Sequence, residues 1–114
     1  MKTIIAGSRG IKDIKIIKQA IKKSGIKIST VLSGRAKGVD MLGELWAKNN
    51  NVPVEGFLPD WKRYGRGAGL KRNLEMIENA VALIAIWDGK SKGTEHTIKK
   101  AREKGLMVFV EIVG

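Results

Sequence analysis

Five short runs rich in isoleucine and valine, at 3–7, 29–33, 52–57, 81–87 and 106–113, alternate with helical patterns at 11–24, 38–49, 69–79 and 94–104. The runs are nearly continuous in apolar residues, as in strands buried on both faces. Strand and helix in alternation imply right-handed crossovers and a parallel sheet. The expected fold is therefore α/β, a Rossmann-like three-layer sandwich with a mostly parallel five-stranded sheet. A plausible spatial order, 3-2-1-4-5, places the reversal between strands one and four, and ligands bind beyond the carboxyl ends of the strands at such a point. With 114 residues the chain can bury one core, so residues 1–114 are expected to form a single domain.

One segment breaks the rhythm. Leu58 to Ala68 forms a long connection that contains Pro59, Asp60, Trp61, Tyr64, Gly65 and Gly67 and interleaves its aromatics with Lys62, Arg63 and Arg66. That composition suits base stacking with phosphate neutralisation, and long loops in compact domains often carry binding function. Trp61 reads equally well as a core or interface residue.

Composition removes several classes of chemistry. The absence of cysteine excludes disulfides and thiolate catalysis, and with one histidine no zinc site is expected; magnesium held through a ligand's phosphates stays open. No apolar run approaches the roughly 20 residues of a membrane span, and Met1-Lys2-Thr3 leads straight into a strand rather than a signal segment, so a cytoplasmic protein is expected. The net charge of +11 attracts polyanions of any kind, nucleic acid among them. Much of it lies on the first helix, where Lys12, Lys15, Lys18, Lys22, Lys23 and Lys27 oppose Ile11, Ile14, Ile17 and Ile21; a solvated face is the plain reading of such a stripe.

Three glycine-rich turns follow apolar runs and precede helices: Gly7-Ser8-Arg9-Gly10, Ser33 to Gly38, and Asp88 to Thr94. Glycine allows close backbone approach and exposed amides at a helix start attract anions, so each turn reads as a phosphate cradle. Ser8 and Arg9 can engage phosphate jointly, the arginine in bidentate fashion. Ser33, Gly34 and Gly38 can form an amide nest, with Arg35 and Lys37 as charges, or can be an ordinary strand-to-helix turn. Asp40 and Glu44 share one face of the second helix; either they favour the helix dipole, or they meet ribose hydroxyls and supply a general base. Arg72 and Asn73 open the third helix ahead of an apolar stripe of Leu74, Met76 and Ile77, with Arg72 the foremost anion contact. In the last turn Asp88, Gly89, Ser91, Gly93 and Thr94 are ligand candidates, with the amides of Thr94 and Glu95 free to meet phosphate; Thr94 also reads as an N-cap. His96 is expected to face solvent.

Taken in order, Gly7-Ser8-Arg9, Ser33-Gly34-x-Ala36-x-Gly38-Val39-Asp40, Pro59-Asp60-Trp61-x-x-Tyr64-Gly65, Ala68-Gly69-x-x-Arg72-Asn73-x-x-Met76 and Trp87-Asp88-Gly89-x-Ser91-x-Gly93-Thr94-x-His96 closely resemble the stand-alone bacterial and phage-type branch of the SLOG superfamily, whose relatives include DprA and the LOG-type phosphoribohydrolases. The resemblance runs from Thr3 to about Ala101. It implies a nucleotide or nucleotide-derived ligand, which the protein would sense or sequester, and a homodimer or higher homo-oligomer, for which Trp46 is a candidate anchor. Arg72 with Met76 matches the arginine and methionine of the LOG enzymes; their paired glutamates are not matched, because Gly93-Thr94 is followed by Glu95, His96 and Thr97. A nucleotide hydrolase would instead draw its acid or base from Asp40, Asp88 or Glu95. DprA-like binding of single-stranded nucleic acid is the third reading.

Overall fold

A computed structural model of the chain describes residues 1–113. Strands β1 (Lys2–Gly7), β2 (Thr30–Ser33), β3 (Val54–Gly56), β4 (Ala82–Trp87) and β5 (Met107–Ile112) form one sheet. Their order is β3-β2-β1-β4-β5 and every neighbouring pair is parallel, as the alternation predicts. Helices α1 (Ile14–Ser24) and α2 (Val39–Asn49) cover one face; α4 (Ala68–Asn79) and α5 (Lys92–Lys104) cover the other.

The strand period of two sorts the apolar runs between these layers. Ile5, Val31, Ile84 and Ile86 meet Ile17 and Ala20 of α1 and Val39 and Ala47 of α2. Ile4, Leu32, Leu83 and Ala85 meet Met76 and Ile77 of α4 and Ile98 and Ala101 of α5. Each large side chain so enclosed stabilises the fold by roughly 1.5–3 kcal/mol relative to exposure. Trp46 packs partly buried against the first layer.

Three local details differ from the sequence reading. Helix α1 begins at Ile14 rather than 11, because the Asp13 carboxylate accepts the Lys15 N–H at 2.9 Å and fixes the start. The connection Leu58 to Ala68 is not all loop: α3 (Trp61–Tyr64), capped by Asp60, and a 3-10 turn over Gly65–Gly67 lead into α4. On α4 the apolar stripe is Met76 and Ile77 without Leu74, which lies 39% exposed.

Candidate functional site

A cleft of about 450 Å³ opens at the carboxyl ends of β1 and β4, where the strand order reverses. Gly7, Ser8 and Arg9 form its floor and one rim; Arg72, Asn73 and Met76 of α4 form a wall. Asp88, Ser91 and Thr94 close the opposite side, and Asp40 reaches in from α2.

Glycines allow these turns to meet. A Cβ on Gly7 would collide with the Ile86 carbonyl oxygen and lie 2.8 Å from Val39 Cγ2. Gly38 has φ +80°, and a Cβ there would stand 2.5 Å from the Ser8 carbonyl oxygen and 2.6 Å from that of Arg9, so the second turn is seated on the first. Ser8, 3% exposed, joins the first turn to the fourth: its N–H donates to the Ile86 carbonyl at 3.1 Å and its Oγ accepts the Asp88 N–H at 3.0 Å. The Asp88 carboxylate accepts the N–H groups of Lys90 and Ser91, each at 2.8 Å, which shapes the turn and holds its pKa below the ordinary range. The acid expected as a proton donor or acceptor therefore serves the turn as an ionised acceptor.

Helix α5 starts two residues before Thr94. Ser91 is the N-cap residue and its carbonyl accepts the Glu95 N–H at 3.1 Å, so the amides without an intrahelical partner are those of Lys92, Gly93 and Thr94, and Glu95 is not among them. The Thr94 hydroxyl lies 3.2 Å from that of Ser91, within the cleft. His96, expected in solvent, is half-buried, and its Nδ1 is enclosed without a hydrogen-bond partner.

Arg72 is held in place by its own helix and by the second turn. Its Nε donates to Asn73 Oδ1 at 2.8 Å and its Nη1 to the Gly34 carbonyl at 2.6 Å. Burial and the neighbouring Arg9 both pull its pKa down, and Asp40 pulls it up. Asn73 thus serves the cleft by orienting the guanidinium. Asp40 is 6% exposed and accepts a long bond, 3.3 Å, from the Ala36 N–H. Burial raises its pKa from 3.8 to about 6, against the opposing pull of the Ala36 amide and Arg72.

A pH dependence follows. The folded pKa of Asp40 lies above the unfolded one, so between about pH 4 and 6 the native state holds more protons, and stability falls as pH rises through that window. The cost levels off above pH 6 at about 3 kcal/mol, since one unit is 1.36 kcal/mol. In Asp40→Asn this loss should vanish: urea midpoints of variant and parent, compared at pH 4 and pH 7, should diverge in favour of the variant at the higher pH. Parallel profiles would show that Asp40 titrates normally.

The structure does not bring every candidate to the cleft. Ser33 lies beneath it, its Oγ donating to Glu44 at 2.6 Å and accepting the Arg35 N–H at 3.1 Å. Arg35 turns to Glu44, 3.7 Å away, and packs over Gly56 of β3. Gly34 supports Asp40 and Arg72 from behind, and Gly38 supports the first turn, neither forming the cleft surface. Gly89 stands outside at an exposed turn with φ +79°. Glu95 faces away, beside Trp87 and Lys99. Trp61 is 58% exposed on α3, and Tyr64 borders a second depression of about 200 Å³, where Arg63 and Lys71 lie 5.3 and 5.5 Å from its ring. Arg72 lines both hollows. Thr97 was missed; it lies one turn beyond Thr94 on the same face, and the spacing Thr94-x-x-Thr97 could have revealed it.

Among the described residues no group of three histidine, aspartate or glutamate side chains could hold a metal ion, and no helix is long and apolar enough to cross a membrane.

The chain is 31% identical over 117 residues to the Gene 61 protein of Mycobacterium phage D29, covering 95% of this chain and 94% of that one. Its fold superposes on the X-ray structure of DNA processing protein A (DprA) from Streptococcus pneumoniae with a TM-score of 0.73 at 21% identity, covering 96% of this chain. The chain spans about half, 49%, of that protein's length, and at this identity the likeness concerns the fold alone. The model of YAcAr, described as the YspA, cpYpsA-related SLOG family, matches residues 1–64, more than half of the sequence. With the parallel sheet, the glycine turns and a full-length relative in agreement, the chain belongs to this SLOG family.

Proposed function

We propose that this protein binds a nucleotide or nucleotide-derived small molecule at the β1–β4 cleft and acts as a sensor or a sequestering protein. The observation that carries the reading is convergence: Arg9, Arg72 and the open amides at the start of α5 face one concavity of about 450 Å³, within the range of small-molecule sites. Arg9 lies near enough to Arg72 to oppose its protonation, and two guanidinium groups so placed favour an anion between them. The α5 terminus adds amide donors and the positive end of the helix dipole. Ser91 and Thr94 offer hydroxyls to the same group, and magnesium can accompany a ligand's phosphates. Membership in the SLOG family and a DprA-like fold agree with a nucleotide-related role.

The test is thermal shift and calorimetry with adenine and guanine mono-, di- and triphosphates, with and without magnesium, beside native mass spectrometry of protein purified from cells. At 100 times Kd a ligand should stabilise the fold by about 2.7 kcal/mol, several degrees for a domain of this size. Gly34→Ala refines the result. Its Cβ would press on Asp40 Oδ2 at 2.8 Å and Arg72 Cζ at 2.9 Å, both side-chain ends that can move without opening the core. Binding should fall at least tenfold with little change in melting temperature. A panel without any shift, and no retained metabolite, would remove the proposal.

A hydrolase is the second reading, favoured by Asp40 alone: a buried carboxyl titrating near pH 6 in the cleft has the pKa expected of a general acid or base. Incubation with nucleoside monophosphates should then release free base or phosphate, and Asp40→Asn should abolish the release.

A further inference from the structure

The first helix carries a charge arrangement that neither the cleft nor the fold uses. Lys15, Lys18 and Lys22 are all exposed and recur at three- and four-residue spacing on the side of α1 opposite Ile17 and Ala20, the residues it buries. They span about 10 Å along the axis at 1.5 Å per residue. Among the described residues none of the three has a carboxylate within ion-pair distance. The basic face of α5 differs: Lys100 pairs with Glu103 at 3.3 Å and Lys104 with Glu78 at 3.2 Å. Lys23, the α1 lysine that leaves the row, pairs with Glu111 at 2.8 Å.

Helix stability does not account for the row. Lys22 suits the negative end of the helix dipole, but Lys15 sits in the first turn, where a cation is unfavourable, and the acid at that end, the N-cap Asp13, accepts the Lys15 N–H without an ion pair to its ammonium. We propose that the Lys15-Lys18-Lys22 face of α1 is a docking surface for the phosphate backbone of double-stranded nucleic acid, separate from the nucleotide cleft and independent of its occupancy. A duplex presents one phosphate per 3.4 Å of helix axis on each strand, and three ammonium groups can neutralise at most about three of them, one each. The face lacks what the other polyanions need. The exposed aromatics Trp61 and Tyr64, on which single-stranded bases could stack, lie on α3, which packs beside α4 on the other side of the sheet. A lipid surface takes up the apolar stripe of an amphipathic helix, and here that stripe is enclosed in the core.

The test is fluorescence anisotropy with a labelled 20-base-pair DNA duplex, titrated from 50 to 200 mM salt. Three phosphate contacts give a slope of about −2.7 in log K against log salt, roughly a 40-fold loss over that range. The variant Lys15→Gln/Lys18→Gln/Lys22→Gln should lose that share of the slope while its circular dichroism melt stays that of the parent. Lys99→Gln/Lys100→Gln/Arg102→Gln removes equal charge from α5 and should leave binding within twofold. The proposal is overturned by a parent that ignores the duplex at 50 mM salt, by two triple variants that weaken it equally, or by stronger retention on phosphatidylserine vesicles or on single-stranded DNA of equal length. None of these results depends on whether the cleft binds a nucleotide.

Discussion

Gly7→Ala should leave no stable folded protein. Gly7 is the last residue of β1 and pairs with Ile86 at the centre of the sheet, where the nearest obstacle to a side chain is the main chain of β4, which cannot yield alone. The added methyl would overlap the Ile86 carbonyl oxygen and stand 2.9 Å from its carbon and 2.8 Å from Val39 Cγ2. Relief requires β1 to separate from β4, or α2 to lift from the sheet together with the first turn of residues that seats Arg9. Overpacking by one methylene in a side-chain core costs about 1–3 kcal/mol. Overlap with main chain inside a ladder should exceed that, and a total stability of 5–15 kcal/mol leaves little margin. Gly10→Ala is the matched control, because it changes the same turn at a position where an added Cβ has no heavy atom within 4 Å. Urea denaturation should show Gly10→Ala within about 1 kcal/mol of the parent and Gly7→Ala unfolded or insoluble. A Gly7→Ala protein melting within a few degrees of the parent would mean that β1 and β4 are not packed as described.

That contrast also marks what could be read from the residues alone. The apolar runs specify the strands because a parallel sheet covered on both faces leaves no alternation to confuse them, and the strand order follows once right-handed crossovers are required. The convergence of the first and fourth turns is legible for the same reason: both follow the two central strands. Side-chain direction was not legible. Ser33 and Arg35 look as available as Ser8 and Arg9, but Glu44, one helical turn beyond Asp40, draws both away from the cleft. Asn73 lines the cleft as expected and also fixes Arg72, a role that could not be read because a hydrogen bond between adjacent side chains leaves no trace in spacing. The start of α5 was placed late because Thr94 is a good capping residue, and the Asp88 turn that lets the helix begin at Lys92 depends on bonds to Lys90 and Ser91 that sequence does not display. The acids divide similarly. Asp40 and Asp88 read alike as carboxylates near helix starts, yet one is buried and titrates near 6 while the other is exposed, bonded to amides and held low.

Arg72→Gln should cost the largest share of ligand binding, and it should do so with a second, ligand-free signature. Two of the five guanidinium N–H donors are taken by Asn73 and Gly34, which leaves three to meet an anion without further ordering of the side chain. A charged hydrogen bond of this kind contributes about 1.5–3 kcal/mol, so affinity for the proposed nucleotide should drop about 10- to 100-fold by calorimetry. Arg72→Lys should recover little, because an ammonium cannot hold both fixed contacts and present a planar fork to phosphate. The same substitution changes Asp40. Arg72 opposes the rise of the Asp40 pKa, so its loss should move that carboxyl upward from about 6, which carbon-detected NMR of the Asp40 side chain can follow without any ligand. If the titration moves and binding does not, the cleft is assembled as described but its anion lies elsewhere. If neither moves, Arg72 does not face Asp40 across Gly34, and the site itself is wrong.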